Sequence, residues 1–234
     1  MRTLTCNEPF QLSLTDHPFV HASGDGLVIE IKAIGICGTD YHIYQGNQPY
    51  LSYPRVMGHE LSGTVTDTAG SDRFAVGDKV VVIPYLSCGD CGACRIGKTN
   101  CCENIAVLGV HKDGGMCERI AVPEENLIHA GGLSFDQAAM IEFLSIGRHA
   151  VARAGMRPDG RVLVIGAGPI GLATAAFAAL EAPDVTIADV APERLAMSAT
   201  RFGFKTAELS SKGPIHLPQS PFDYVYDATG IFIQ

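Results

Sequence analysis

The sequence lacks an excess of basic residues. Seventeen Lys and Arg stand against 25 Asp and Glu, a formal net charge of −8 over 234 residues. A broad nucleic-acid footprint needs clustered Lys and Arg, so this balance argues against one. A secretory leader is missing too. The opening stretch MRTLTCNEPFQLSLTD has neither a long apolar centre nor a small-residue cleavage site, so the expected setting is cytoplasmic. Charged residues are scarce at 18%, while 47% of the chain is hydrophobic, so a packed core is expected and disorder is not. Long apolar runs are nearly absent. The exception, VLVIGAGPIGLATAAFAAL, is about 19 residues long, close to a membrane span. Three glycines and a proline crowd its first half, which suits a strand, a turn and a helix better.

Cysteine, by contrast, is concentrated. Five of the eight cysteines lie in LSCGDCGACRIGKTNCC, residues 86–102. Disulfide frameworks belong mostly to short secreted chains. Bridging within C-x-x-C-x-x-C would also strain the backbone. Cys88, Cys91, Cys94 and Cys102 follow C-x2-C-x2-C-x7-C. Glycines at 89, 92 and 97 are expected to let the loop curl until four sulfurs converge. Tetrahedral zinc takes that arrangement, and a four-thiolate site with no open position is structural. An iron–sulfur cluster is an alternative, and Cys101 competes with Cys102 as the fourth ligand.

Two rhythms divide the chain. The first half, residues 1–147, carries strand-like runs at 26–36, 60–68 and 78–84, punctuated by Gly, Pro, Asp and Asn; it reads as an all-β, barrel-like domain. Residues 133–155 read as a helix with Ser134 as its N-cap. Residues 148–234 form the second domain. There RVLVIGAG, DVTIADV and FDYVYDATG read as strands, alternating with helices over PIGLATAAFAALE and APERLAMSATRFG. Alternation of this kind implies a parallel sheet.

Gly166, Gly168 and Gly171 form G-x-G-x-x-G between the first of those strands and its helix. In that context the pattern marks a dinucleotide turn, with the pyrophosphate on the helix N-terminus. Asp189 ends the next strand, placed to accept from ribose hydroxyls and to repel a 2′-phosphate, so NAD is expected over NADP. Arg194 is within reach of the adenosine end.

Cys37, His59 and Glu60, in GICGTDYHIY and VMGHELSG, offer a second metal set with an open position. Taken together, CGTDYH, GHE, the four spaced cysteines, VIGAGPIG and FDYVYDATG resemble the zinc-dependent medium-chain alcohol dehydrogenase family, in the family's order and over nearly the whole chain. YPRVMGHE, AVLGVHKDGG and MIE are most similar to its polyol and sugar-acid branch. The resemblance implies a GroES-like β-barrel catalytic domain followed by a Rossmann domain, a doubly wound parallel sheet. It implies one catalytic and one structural zinc, and NAD. Cys37 and His59 would ligate the catalytic zinc, with Glu60 as a direct or exchanging ligand. Glu142 would act as ligand or through water, although Phe143 replaces the family's proline there. Thr39 would pass a proton toward the cofactor ribose and His42. Gly166, Gly168, Ile170, Gly171, Asp189 and Arg194 would hold the dinucleotide.

The implied reaction moves hydride between a secondary alcohol, a polyol or sugar acid, and NAD. Homo-oligomers are implied for a full-length parent. The sequence stops at Gln234, where a sheet of order 3-2-1-4-5-6 would still lack roughly two strands. The expectation is therefore a Rossmann domain truncated at its C-terminus. A truncated, non-catalytic zinc- or nucleotide-binding protein of the same lineage is the alternative.

Overall fold

A computed structural model describes residues 1–18, 26–210 and 221–230. The chain divides into two compact units, Met1–Glu142 and Phe143–Gln234. Sequence rhythm put the boundary after residue 147, and the two units part within the first turn of a helix; both divisions leave Glu142 in the first part.

The first unit begins with β1 (Arg2–Glu8), β2 (Gln11–Asp16), β3 (Leu27–Gly35), α1 (Gly38–Tyr44), β4 (Arg55–Val56), β5 (Glu60–Asp67) and β6 (Lys79–Val82). It continues with β7 (Tyr85–Leu86), α2 (Gly92–Arg95), β8 (Ala106–Val107), β9 (Arg119–Val122), β10 (Leu127–His129) and α3 (Phe135–Ala139). A five-stranded antiparallel sheet has the order β10-β6-β5-β3-β9, and a three-stranded one has the order β2-β1-β4. Leu27, Ile29, Leu61, Val65, Val80, Val82, Val122 and Leu127 from the larger sheet meet in one buried cluster. Burial of each such side chain stabilises the fold by about 1.5–3 kcal/mol.

The register of β3 on β5 places the site. Gly35, the last residue of β3, pairs with Glu60, the first of β5. Antiparallel pairing therefore draws Cys37, just past one strand, to His59, just before the other. The three strand runs read from sequence correspond to β3, β5 and β6. The terminal hairpin β1–β2 and the short strands β9 and β10 were not read, because they lack a long alternating apolar run.

The helix expected over 133–155 is two helices, α3 and α4 (Ile141–Ala154), interrupted at Met140. Ser134 caps α3 as expected: its hydroxyl accepts from Gln137 N–H at 3.2 Å, and Gln137 Oε1 accepts from Ser134 N–H at 2.9 Å. The break lets α3 lie on β3, β5 and β6, where the Ser62 hydroxyl donates to Phe135 C=O at 2.7 Å.

The second unit holds β11 (Arg161–Ile165), α5 (Pro169–Glu181), β12 (Asp184–Asp189), α6 (Pro192–Phe202), β13 (Lys205–Glu208) and β14 (Tyr224–Asp227). All pairings are parallel, in the order β13-β12-β11-β14. Val162, Val164, Val185 and Ile187 form a core with Ala175, Ala178 and Leu195 of the helices. The nearly unbroken apolar runs of β11 and β12 reflect burial on both faces, as parallel sheets require. Pro169 and Pro192 open their helices, where no donor N–H is needed.

Candidate metal centres and nucleotide turn

Cys37, His59 and Glu60 present one sulfur, one ring nitrogen and one carboxylate oxygen, all within 4.8 Å of one another. His59 and Glu60 are buried and Cys37 is half-buried. His59 Nδ1 is buried with no hydrogen-bond partner, and Asp40 Oδ1 lies 3.9 Å away. A buried polar nitrogen in that state is costly unless a ligand engages the ring. Burial, then the charges of Glu142 and Asp40, push the Glu60 carboxyl up to about 7. Burial raises the Cys37 thiol as well. Crowded, desolvated anionic groups of this kind are stabilised by a cation. Thiolate, imidazole and carboxylate are the donors zinc takes, and three protein ligands leave one position open. The residues fit the ion.

Glycine makes room for this set. A Cβ on Gly35 would stand 2.0 Å from Glu60 Oε2. Thr39 sits beside the thiol, with its Oγ1 3.8 Å from Cys37 Sγ. His42 is exposed in the last turn of α1. Glu142 is buried in the first turn of α4, where its Oε1 accepts from the Tyr85 hydroxyl.

The sulfurs of Cys88, Cys91, Cys94 and Cys102 also lie within 4.8 Å of one another, and all eight cysteines are free. Cys102, not Cys101, completes the set. Cys102 Sγ accepts from Cys88 N–H and Asn104 N–H, each at 3.3 Å. Hydrogen bonds from the Glu103 and Cys94 backbone bring the Cys91 thiol down to about 6, so this sulfur is readily a thiolate. Gly89 and Gly97 have positive φ, as the curling loop requires. Gly92 instead begins α2 with an ordinary φ, so the loop turns on two glycines rather than three.

In the second unit Gly166 has φ +99°, and a Cβ on Gly171 would lie 1.7 Å from Gly166 C=O. The turn therefore closes only with glycine at 171. A Cβ on Gly168 meets no protein atom within 4 Å, which leaves open room over the first turn of α5; helix N-termini of this kind are general anion sites. Ile170 is half-buried in that first turn. Asp189 ends β12 almost fully buried; Oδ2 accepts from Ala167 N–H at 2.6 Å and Oδ1 from Ala191 N–H at 2.8 Å. Arg194 Nη1 is 3.8 Å from Oδ2. The carboxylate thus braces the glycine turn before any ligand is considered.

Residues 23–132 match the family model described as the alcohol dehydrogenase GroES-like domain. L-galactonate-5-dehydrogenase of Escherichia coli strain K12 is 45% identical over 202 residues, 86% of this chain and 59% of that enzyme. The starvation-sensing protein RspB of the same strain is 35% identical over 235 residues, 99% of this chain and 67% of that protein. The crystal structure of an E. coli CFT073 alcohol dehydrogenase, rspB, complexed with NADH, superposes with a TM-score of 0.82 at 36% identity, covering 91% of this chain and 63% of that one. The chain belongs to the zinc-dependent medium-chain alcohol dehydrogenase family, on its polyol and sugar-acid branch. It spans 59% of the length of the first of these relatives.

Two side chains of this family member escaped the sequence reading. Asp40 is buried; its Oδ2 accepts from Cys37 N–H at 2.9 Å and its Oδ1 from Gly58 N–H at 3.2 Å. One carboxylate thereby ties together the two segments that carry Cys37 and His59. Its sequence signal was present: an acid three residues after the helix-capping position. Tyr85 is the other. Its phenol feels the charges of Cys37, Glu60 and Glu142, and burial followed by the Glu142 hydrogen bond raises its pKa far above the ordinary value. Nothing in the sequence near Tyr85 announces that contact. The branch motif AVLGVHKDGG also gains a physical reason. Gly114 N–H donates to Val56 C=O and Gly115 N–H to Gly58 C=O, and a Cβ on Gly114 would stand 2.3 Å from Gly58 C=O. The motif is a close-packed floor under the His59 segment.

Proposed function

We propose that the protein is a zinc-dependent oxidoreductase that transfers hydride between a secondary alcohol, a polyol or sugar acid, and NAD. The observation that carries this reading is the largely buried Cys37–His59–Glu60 set, gathered within 4.8 Å where the paired ends of β3 and β5 meet. In the same reading residues 1–147 are a GroES-like β-barrel catalytic domain. Residues 148–234 are a Rossmann domain, whose strand order β13-β12-β11-β14 matches the first four strands of the doubly wound arrangement. The setting is cytoplasmic, the partner is a small alcohol or polyol, a full-length parent would be a homo-oligomer, and nucleic acid and membranes play no part.

Cys37, His59 and Glu60 would hold the catalytic zinc, and Cys88, Cys91, Cys94 and Cys102 the structural one. The chemistry the catalytic ion supplies when bound is Lewis-acid polarisation of the alcohol, which lowers its pKa. Thr39 would accept the alcohol proton, and His42, exposed in the last turn of α1, would exchange it with solvent. Asp40 holds the ligand backbones in place. Glu142 balances charge beside the ion. Gly166, Gly168, Ile170 and Gly171 would hold the pyrophosphate, and Asp189 and Arg194 would lie toward the adenosine ribose. Hydride transfer belongs to the nicotinamide; the protein provides position and electrostatics.

Zinc content of the purified protein, with NADH absorbance followed on a panel of polyols and sugar acids, tests the reading. Two zinc ions per chain and NAD-dependent turnover are expected. Zinc and NADH binding without turnover selects the non-catalytic alternative, and no zinc at all refutes both.

A further inference from the structure

We infer that Gly147 is a positioning residue for the dinucleotide: it lets α4 touch the backbone of α5 and so sets where the first turn of α5 presents its N–H groups. The inference rests on the NAD reading above and goes beyond it. Gly147 stands in the middle of α4 without a positive φ, so the backbone there does not require glycine. Glycine weakens a helix interior relative to alanine, so its presence needs a packing reason. The neighbouring helix supplies one. Gly147 is buried, and a Cβ on it would lie 2.7 Å from Thr174 N, 2.8 Å from Ala173 C and 2.9 Å from Ala173 Cβ. None of these atoms is the end of a flexible side chain.

The close approach falls on the second turn of α5, at residues that are themselves almost fully buried. The Thr174 hydroxyl donates to Ile170 C=O at 2.8 Å, which ties this point to the first turn. Gly171 in turn lies flat against Gly166 C=O, so the glycine turn and the start of α5 move as one body. Further along, Val151 of α4 joins Ala175 and Ala178 of α5 in the core, so α4 cannot tilt away without opening that cluster. An ordinary contact begins at 3.4 Å, so a methyl group at 147 drives the start of α5 back by about 0.7 Å. Binding geometry must be held to about 0.5 Å. The retreat therefore carries the N–H groups off the pyrophosphate.

The test is NADH fluorescence titration of the parent, Gly147→Ala and Val151→Ala, with thermal melts of the ligand-free proteins. Alanine is the better helix former, so Gly147→Ala is expected to fold. It is expected to bind NADH on the order of ten-fold more weakly. Val151→Ala empties part of the same helix seam without pushing on α5. It is expected to lose more melting temperature and to keep its NADH affinity within about two-fold. The double variant Gly147→Ala/Ala173→Gly removes the 2.9 Å contact. It is expected to bind NADH between Gly147→Ala and the parent, and it carries the test should the single variant not fold. Parent-like NADH binding in Gly147→Ala or in the double variant, or an equal weakening in Val151→Ala, overturns the inference while leaving the NAD reading intact. A parent that binds no NADH refutes the NAD reading itself.

Discussion

Adding one methyl group at Gly35 is expected to expel the catalytic zinc and spare the structural one. Gly35 closes β3 directly opposite Glu60 of β5. A Cβ there would meet Glu60 Oε2 at 2.0 Å, Glu60 Cβ at 2.8 Å and Glu60 Cδ at 3.0 Å. The carboxylate end can rotate away. The Glu60 Cβ cannot, because the paired backbone fixes it. Overpacking of this kind costs about 1–3 kcal/mol. Gly35 has no positive φ, so alanine also returns about 0.4–1 kcal/mol by restricting the unfolded chain. The net loss is about 1–2 kcal/mol, a fall in Tm of roughly 2–8 °C for a chain of this size. Metal analysis of Gly35→Ala should find zinc halved, from two ions to one, since Glu60 no longer reaches Cys37 and His59. Gly38→Ala is the control, because a Cβ at that position meets nothing within 4 Å. Two full zinc equivalents and an unshifted melt in Gly35→Ala would refute the claim that this glycine exists to seat Glu60.

In the nucleotide turn, Gly171→Ala should destabilise the fold, since its Cβ would overlap Gly166 C=O at 1.7 Å. Gly168→Ala should melt with the parent yet bind NADH at least about ten-fold more weakly, a loss of about 1.4 kcal/mol measurable by fluorescence titration. Chelation of zinc should open the cysteine loop and speed tryptic cleavage after the exposed Arg95 or Lys98, with fragment masses as the readout. Lys205 beside Asp184, helped by Arg161, lowers the Asp184 carboxyl below its usual value. That contribution is present above the unfolded-state pKa and is lost as pH falls through the lower folded value. Asp184→Asn should therefore cost a few tenths of a kcal/mol at neutral pH, because the pair is solvent-exposed. Chemical denaturation should show that difference vanishing in strong acid.

The parts of this fold legible in the sequence are those whose signal is local. β11, α5, β12 and α6 announce themselves through apolar runs, a glycine turn and N-terminal prolines, all within one short stretch of chain. The break at Met140 was not legible. Residues on both sides of it are good helix formers, and the interruption comes from α3 lying on the sheet, where Ser62 takes Phe135 C=O. Local propensity yields to tertiary packing there. β13 was missed for the opposite reason: KTAE has no apolar run, and its place is fixed by pairing with β12.

The site divides along the same line. Side chains that would touch an ion were readable, because Cys, His and acid clusters are rare and chemically marked. Side chains that hold those residues were not. Asp40 and Tyr85 are ordinary letters until β3, β5 and β7 bring them to Gly58 and Glu142. Asp189 changes its meaning most. The sequence presented a ribose acceptor; the structure adds that this buried carboxylate already accepts from Ala167 N–H and Ala191 N–H. Replacing it with alanine would leave both N–H groups unpaired, at about 1–3 kcal/mol for a buried group. Asp189→Ala should therefore lose stability even in the absence of NADH, and a melt of the ligand-free variant equal to that of the parent would show that this carboxylate serves the cofactor alone.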